Sequence, residues 1–324
     1  MKHYIIGTDE AGYGPNLGPF VVSCTCWELA DSHSHTGQHH AGQQDGLTLL
    51  QQRLADVVTD VPRELGRKNY QIVIGDSKKL YTASKPLETL RKTVFHTLAI
   101  LGMSPADWRE LVQILAPEDV AAVFRDYASD KTFAPEETSF PTDCLEKNGV
   151  FLRKIRSRII TPEVFNLMLD RFGNKSQLLT EWTLGLLREQ MSEIPKGRIT
   201  VICDKHGGRN RYLDILSHWF PDHLIEIVTE SRENSVYRFS TSDLQAVFQF
   251  RAKADQFIPT GLASIVSKYL RETAMEIFNG FWKRHLPDLK PTAGYPIDAV
   301  RFFRQIRGKA EQLGISETSL WRNK

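Results

Sequence analysis

Three apolar, strand-like runs in this chain lead to acids, and the pattern has a chemical use only if the fold brings the strand ends together. The first run, Tyr4-Ile5-Ile6, passes through Gly7-Thr8 into the adjacent pair Asp9-Glu10 and then a loop punctuated by Gly12, Gly14, Pro15 and Gly18. Apolar β-branched residues suit a buried strand, and the glycines and proline mark the stretch after the acids as a loop. On an extended strand Asp9 and Glu10 point to opposite faces, so one site uses both only where the chain bends. Glycine makes such a bend cheap. The second run, Arg198 to Cys203, ends at Asp204 with Gly207 and Gly208 beyond it; the third, Ala246 to Ala252, leads into Lys253-Ala254-Asp255. In open α/β sheets, strand carboxyl ends are where ligands bind.

Asp9, Glu10, Asp204 and Asp255 are hard oxygen donors, with no histidine or cysteine at matching positions. Such donors suit Mg2+ or Mn2+ rather than zinc. Carboxylates packed together repel one another and take up protons unless a cation is present. Cations held in this way serve phosphodiester cleavage, one activating the attacking water and a second stabilising the leaving oxygen. Spacing alone leaves open that these are unrelated acids in solvated loops.

The 324 residues suffice for one large domain or two medium ones, and 41% apolar with 25% charged residues is an ordinary globular balance. No apolar run is long enough to span a membrane, and the opening Met-Lys-His-Tyr lacks a secretory signal, so no membrane association and a cytoplasmic location are expected. A net charge of +2 is compatible with nucleic-acid binding through one basic face. Cys24, Cys26, Cys144 and Cys203 lack zinc-site spacing and are expected to be reduced, mostly in the core.

Further strands are expected over Phe20–Leu29, paired hairpin-fashion with the first, and over Tyr70–Ile74, Val150–Ile160 and Leu224–Thr229. The Val150–Ile160 strand has a basic side that either faces phosphates or is merely solvated. Helices are expected over Leu47–Val61, Pro86–Leu101, Pro162–Asp170, Ser176–Met191, Tyr212–Phe220, a long stretch beyond Pro259, and Ile297–Leu313, with Asp76 or Ser77 capping a helix after Gly75. Asp31 to Gly46, with His33, His35, His39 and His40, reads as an exposed biased loop rather than a metal site.

Five blocks in order carry a resemblance. Gly7-Thr8-Asp9-Glu10-Ala11-Gly12-Tyr13-Gly14-Pro15 is similar to the signature of the type 2 ribonuclease H (ribonuclease HII) family, usually Asp-Glu-Ala-Gly-Arg-Gly-Pro. Asp76-Ser77-Lys78-Lys79-Leu80, Val201-Ile202-Cys203-Asp204, Lys253-Ala254-Asp255 with Ala263 to Lys268 and Arg271-Glu272, and Gly294-Tyr295-Pro296 resemble its later blocks. The chain thus resembles a divergent member with insertions at about 31–68 and 104–148.

The resemblance implies an α/β fold: a ribonuclease H-like mixed sheet flanked by helices, with a catalytic domain over 1–272 and a small helical region over 273–324. It implies that Asp9, Glu10, Asp204 and Asp255 are catalytic and hold two ions, Mg2+ or Mn2+. The implied reaction is hydrolysis of the RNA strand of RNA·DNA hybrids, leaving 5′-phosphate and 3′-hydroxyl ends. Gly12, Tyr13 and Gly14 would meet ribose 2′-hydroxyls, and Ser77, Lys78, Lys79, Lys268 and Tyr295 are the other substrate-binding candidates. For each lysine a plain surface or helix-end role stays open. Tyr13 stands where the family has arginine, and Thr260-Gly261-Leu262 departs from its alanine-rich turn, which puts substrate choice in question. The alternatives are a related metal-dependent nuclease with another nucleic-acid target, or a hybrid-binding protein without turnover.

Overall fold

The computed structural model of the protein describes residues 1–30, 45–60, 71–81, 87–125, 131–133 and 141–323. His33, His35, His39, His40, Pro135 and the start of the expected 70–74 strand lie outside them.

Strand β1 (His3–Ala11) alternates its side chains between two cores, Ile5 entering one and Ile6 the other. It runs past both acids instead of ending before them. β2 (Phe20–Leu29) pairs antiparallel with β1, as its β-branched and aromatic content predicts. After α1 (Gly46–Arg53), the short β3 (Val58–Thr59) and β4 (Ile72–Val73) form a separate two-stranded parallel sheet. The helix expected over 47–61 therefore stops early, at Arg53, and the chain turns into β3.

The next elements are α2 (Ser77–Leu80), α3 (Glu88–Ile100), α4 (Trp108–Leu115) and α5 (Val120–Val123), followed by β5 (Val150–Ile160), α6 (Pro162–Phe172) and α7 (Lys175–Ser192). Asp76 caps α2, accepting the Lys78 N–H at 2.9 Å, a contact usually worth about 1 kcal/mol. Then come β6 (Gly197–Asp204), α8 (Leu213–Trp219), β7 (Glu226–Glu230), β8 (Asn234–Ser240) and β9 (Leu244–Arg251). Three helices close the described chain: α9 (Ile258–His285), α10 (Pro296–Gln312) and α11 (Glu317–Leu320). β8 is a strand beyond those expected, although Tyr237 and Phe239, buried, alternate with Arg238 and Ser240, exposed.

The main sheet has seven strands in the order β5-β2-β1-β6-β9-β8-β7. β1, β6 and β9 run parallel, while β2 is antiparallel to both its neighbours. Helices cover both faces: α3, α4 and α9 with Ile5, Trp27 and Ile202 on one, α6, α7 and α8 with Ile6, Val201 and Phe248 on the other. The result is an α/β architecture, a mixed sheet flanked by helices, as the motifs imply. A third core joins Met275, Phe278 and Trp282 of α9 to Phe302 and Ile306 of α10. Residue 272, the expected division, thus falls inside a helix whose first half serves the sheet and whose second half serves this helical cluster.

The segment expected as an insertion at 104–148 supplies core. Trp108, Leu111, Val112 and Leu115 are buried against Ile155 and Ile159 of β5. It also answers the basic side of β5: Arg158 forks onto the Asp119 carboxylate, and Arg156 donates to the Ile114 carbonyl at 2.8 Å. Arg153 pairs with Glu28 and Lys154 with Glu193, so protein groups rather than phosphates satisfy this face. Among the described residues no helix is long and apolar enough to cross a membrane. Cys24, Cys26 and Cys203 are buried and unpaired, and Cys144 is half-buried and also free.

One contact sets how closely the site helix approaches the sheet. A Cβ on Gly7 would stand 2.3 Å from the Pro259 carbonyl carbon and 2.4 Å from the Thr260 nitrogen, both backbone atoms. Gly7→Ala is therefore expected to push α9 off β1 and lower stability by about 2–3 kcal/mol. Urea unfolding measures this, and an unchanged midpoint would contradict the close approach.

Candidate active site

The site is assembled by strand register. Parallel β1 and β6 place Thr8 beside Cys203, so the next residues along, Asp9 and Asp204, stand side by side at the carboxyl ends. Both continue the face of Ile5 and Ile202 and look towards α9. Neighbouring β9 ends at Arg251, and the 3-10 turn Ala254–Gln256 brings Asp255 in from the third strand. Lys253, in the turn before it, holds a left-handed backbone (φ 61°) rare outside glycine, a strain of order 1 kcal/mol or more. That bend aims backbone N–H groups at Asp204, which accepts from Ala254 at 3.4 Å.

Glu10 points to the other face of β1, yet at the sheet end its carboxyl reaches a hydrogen bond with Asp9. A sharp bend is unnecessary, because both faces meet where the sheet stops. Loss of hydration is the largest influence on Asp9, Glu10 and Asp204. It lifts Asp9 to about 7, helped by the charges of Asp204 and Asp255, and opposed by a hydrogen bond from Ser264. Glu10 is raised strongly by burial, then by Asp9 and Asp204; Asp204 is raised by burial and by Asp255, against backbone N–H groups of Lys205 and Ala254. Asp9, Glu10 and Asp204 are thus linked electrostatically, and the Asp255 charge acts on Asp9 and Asp204.

They do not yet form a cage: among the described residues, no three His, Cys, Asp or Glu side chains stand where they would hold an ion as they lie. The donor set nevertheless fits a hard divalent cation, since it is all oxygen and carries repulsion that a cation would cancel. His206, two residues from Asp204, is not a candidate ligand. Its buried ring bonds the Thr180 hydroxyl at 3.0 Å, and burial lowers its pKa to about 3.

Serines that sequence reasoning left without a role hold the acids from behind. Ser264 bonds Asp9 on one side and Ser77 on the other, at 3.0 Å. Ser267, one helical turn on, donates to the Asp9 carbonyl at 3.0 Å and contacts Ser23 at 2.8 Å, which meets Ser157 at 2.8 Å. The i, i+3 spacing of Ser264 and Ser267 on one face of α9 was the available signal. Ser77, expected to touch substrate, is buried and engaged in this relay instead.

The remaining candidates divide by position. Gly12 takes φ +86°, and a Cβ there would meet the Pro19 carbonyl at 2.8 Å and Arg271 at 2.9 Å, so only glycine fits the turn. Tyr13 packs edge-on against Phe20, with Glu10's charge raising its hydroxyl pKa after burial. Gly14 lies next to Tyr295, which is 54% exposed and has the Arg271 guanidinium 5.9 Å from its ring centre. Lys268 is half-buried, its ammonium 4.9 Å from the centre of the Tyr81 ring, and burial lowers its pKa. Lys78 and Lys79 are exposed on α2, Lys79 lying 3.9 Å from Asp76.

No family model and no curated protein matches this chain. Solved structures similar to it include the ribonuclease HII of Archaeoglobus fulgidus in its PCNA complex, at 14% identity and TM-score 0.41, over 99% of this chain and 94% of that one. The ribonuclease H2 of Pyrococcus horikoshii OT3 is similar at 15% identity and TM-score 0.40, over 99% and 92%. Bst-RNase HIII in complex with Mn2+ is similar at 14% identity and TM-score 0.44, over 98% and 66%. At these scores the likeness carries no argument about activity.

The raised Asp9 pKa makes a measurable demand. A group whose folded pKa lies above its ordinary 3.8 stabilises the fold when protonated, and that benefit is lost as pH rises through about 7. Metal-free protein at pH 8 therefore bears a buried charge, and Asp9→Asn is expected to raise its stability by an amount on the order of a few kcal/mol, read as a higher unfolding temperature. The gap should shrink towards pH 4, and millimolar Mg2+ at pH 8 should stabilise the parent more than the variant. Thermal melts across that range check this; a variant no more stable than its parent at pH 8 would contradict it.

Proposed function

We propose that this chain is a metal-dependent endoribonuclease that hydrolyses the RNA strand of RNA·DNA hybrids, leaving 5′-phosphate and 3′-hydroxyl ends. What supports this reading is the placing of Asp9-Glu10, Asp204 and Asp255 at or just beyond the ends of three neighbouring parallel strands, where Asp204 and Asp255 raise the proton affinity of Asp9, and Asp9 and Asp204 that of Glu10. Asp9, Glu10, Asp204 and Asp255 would hold two Mg2+ or Mn2+ ions, which supply a hydroxide nucleophile and stabilise the leaving oxygen. The protein's own part is to keep the acids in place: Ser264 and Ser267 fix Asp9 from α9, and the N–H groups around Lys253 and Lys205 fix Asp204. Residues 1–272 would form the catalytic unit and 273–324 a helical support, with the cytoplasm as the proposed setting.

Substrate would lie across the Gly12-Tyr13-Gly14 loop, whose backbone is open to the ribose 2′-hydroxyls that separate RNA from DNA. Tyr295 is exposed beside Gly14 and offers a ring for stacking. Lys268, beside the Tyr81 ring, and Lys78, exposed on α2 and close enough for its charge to act on Lys268, would neutralise backbone phosphates. Ser77 supports Asp9 through Ser264 rather than meeting substrate.

Asp9→Asn and Asp204→Asn are each expected to reduce Mg2+-dependent cleavage of a labelled hybrid at least a thousandfold while hybrid affinity changes by less than about threefold. Retained turnover in either variant would sink the assigned roles. Tyr13 in place of the family's arginine bears on which substrate is cut. Cleavage of three duplexes, one with a long RNA tract, one with a lone ribonucleotide and one all-DNA, is expected to favour the long tract, with Tyr13→Arg shifting activity towards the lone ribonucleotide. Cleavage of the all-DNA duplex would instead indicate a nuclease with another target, and binding without cleavage at any metal concentration a hybrid-binding protein.

A further inference from the structure

Arg322 is fully buried, and among the described residues no carboxylate pairs with it. Its guanidinium lies 4.8 Å from the centre of the Phe165 ring, and one nitrogen, Nη2, donates to two carbonyls of the glycine loop: Gly12 at 2.7 Å, and Pro15. The backbone repeats the attachment. The Arg322 N–H donates to the Asn16 carbonyl at 2.7 Å, the Asn16 side-chain amide returns to the Arg322 carbonyl at 2.9 Å, and Leu17 bridges Trp321 in antiparallel fashion. Asn166 of α6 anchors the same segment from the opposite side, donating to the Trp321 carbonyl at 2.7 Å and accepting the Asn323 N–H at 2.8 Å.

A cation buried without a counter-ion is costly, and a carbonyl pair captures it only in a narrow geometry. The loop captured here is Gly12 to Pro15, which directly succeeds the catalytic acids and in which Tyr13 stands where the resembled family has an arginine. Its other flank is closed by Arg271, which fills the space where a Gly12 side chain would lie and donates to the Ala293 carbonyl at 2.6 Å. Two arginines from distant parts of the chain thus clamp a loop that has none of its own.

We propose that Arg322 is a positioning residue that locks the Gly12-Tyr13-Gly14 backbone in the conformation that meets ribose, and so sets discrimination between RNA·DNA hybrid and all-DNA duplex. The proposal rests on the nuclease reading for its substrate and on the hydrogen bonds above for its mechanism. Arg322 touches no reacting atom; it acts through the Gly12 and Pro15 carbonyls. Its loss is expected to change affinity for hybrid and leave the acids in place.

The test uses the full chain carrying Asp204→Asn, so that hybrid is bound and not consumed, with and without Arg322→Met and Arg322→Lys. Amide hydrogen exchange over residues 10–19 and anisotropy of fluorescent hybrid and all-DNA duplexes are read on each protein. Arg322→Met is expected to speed exchange of the loop at least tenfold with β1 and the first half of α9 unchanged, and to cut the hybrid-to-DNA affinity ratio at least fivefold. Arg322→Lys, which keeps the charge and a donor, should recover part of both. Faster exchange with an unaltered ratio, or unaltered exchange, would overturn the proposal. Should Arg322→Met not fold, Asn16→Ala removes the side-chain bond to the same segment and is judged by the same two readouts. A parent that binds hybrid no better than DNA would overturn the substrate reading and with it the discrimination role, while loop exchange would still decide whether Arg322 holds the loop.

Discussion

Everything at the candidate site depends on the parallel pairing of β1 with β6, in a register that sets Thr8 against Cys203. A slip of one residue would turn Asp204 to the opposite face and strand Asp9 alone over α9. The register is held from both sides of the sheet, by Ile5 and Ile202 in one core and Ile6 and Val201 in the other. Gly7 adds a steric limit, because β1 and the start of α9 approach within backbone contact there. That approach brings Ser264 and Ser267 to Asp9, so one missing side chain in the strand permits the hydrogen bonds that steady the acid.

The resulting cluster is in tension with itself. Three carboxylates, Asp9, Glu10 and Asp204, that are partly stripped of water and lie within reach of neighbouring acidic charges raise the fold's free energy at neutral pH, and a purely structural role gives no compensation. Strain at Lys253 adds to the cost and lies beside Asp255. Costs concentrated at one end of a sheet, while the cores beneath are apolar and closely packed, are what a functional site looks like energetically. The cations of β5 do not share in this: Arg153, Lys154 and Arg158 are paired with Glu28, Glu193 and Asp119.

Much of this was legible in the residues. The apolar runs marked β1, β2, β5, β6 and β9, and the acids at or just beyond the ends of β1, β6 and β9 were the site candidates that the fold brings together. The motifs also implied the mixed, helix-flanked sheet that is found. Other features were not legible. The helix expected over 47–61 yields to β3 because Val58 and Thr59 find a partner in β4, a pairing that no local propensity discloses. The segment at 104–148 read as an insertion without chemistry, yet its Trp108 and Leu111 complete the core over β5. Ser77 was a substrate-contact candidate through the resemblance of its block, and its burial against Ser264 became visible only once α2 was laid on α9.

Local chemistry is thus what the sequence determined by itself: which runs are strands, which residues are acids at their ends, and where glycines punctuate the loop that follows Asp9-Glu10. Those properties come from side-chain shape and backbone freedom within a few residues. Tertiary structure alone decided which acids repel which, and by how much their proton affinities rise, since both depend on burial and on strand register. It alone also joined Arg322 to Gly12, across 310 residues, because a buried guanidinium finds its carbonyls by packing and not by proximity along the chain.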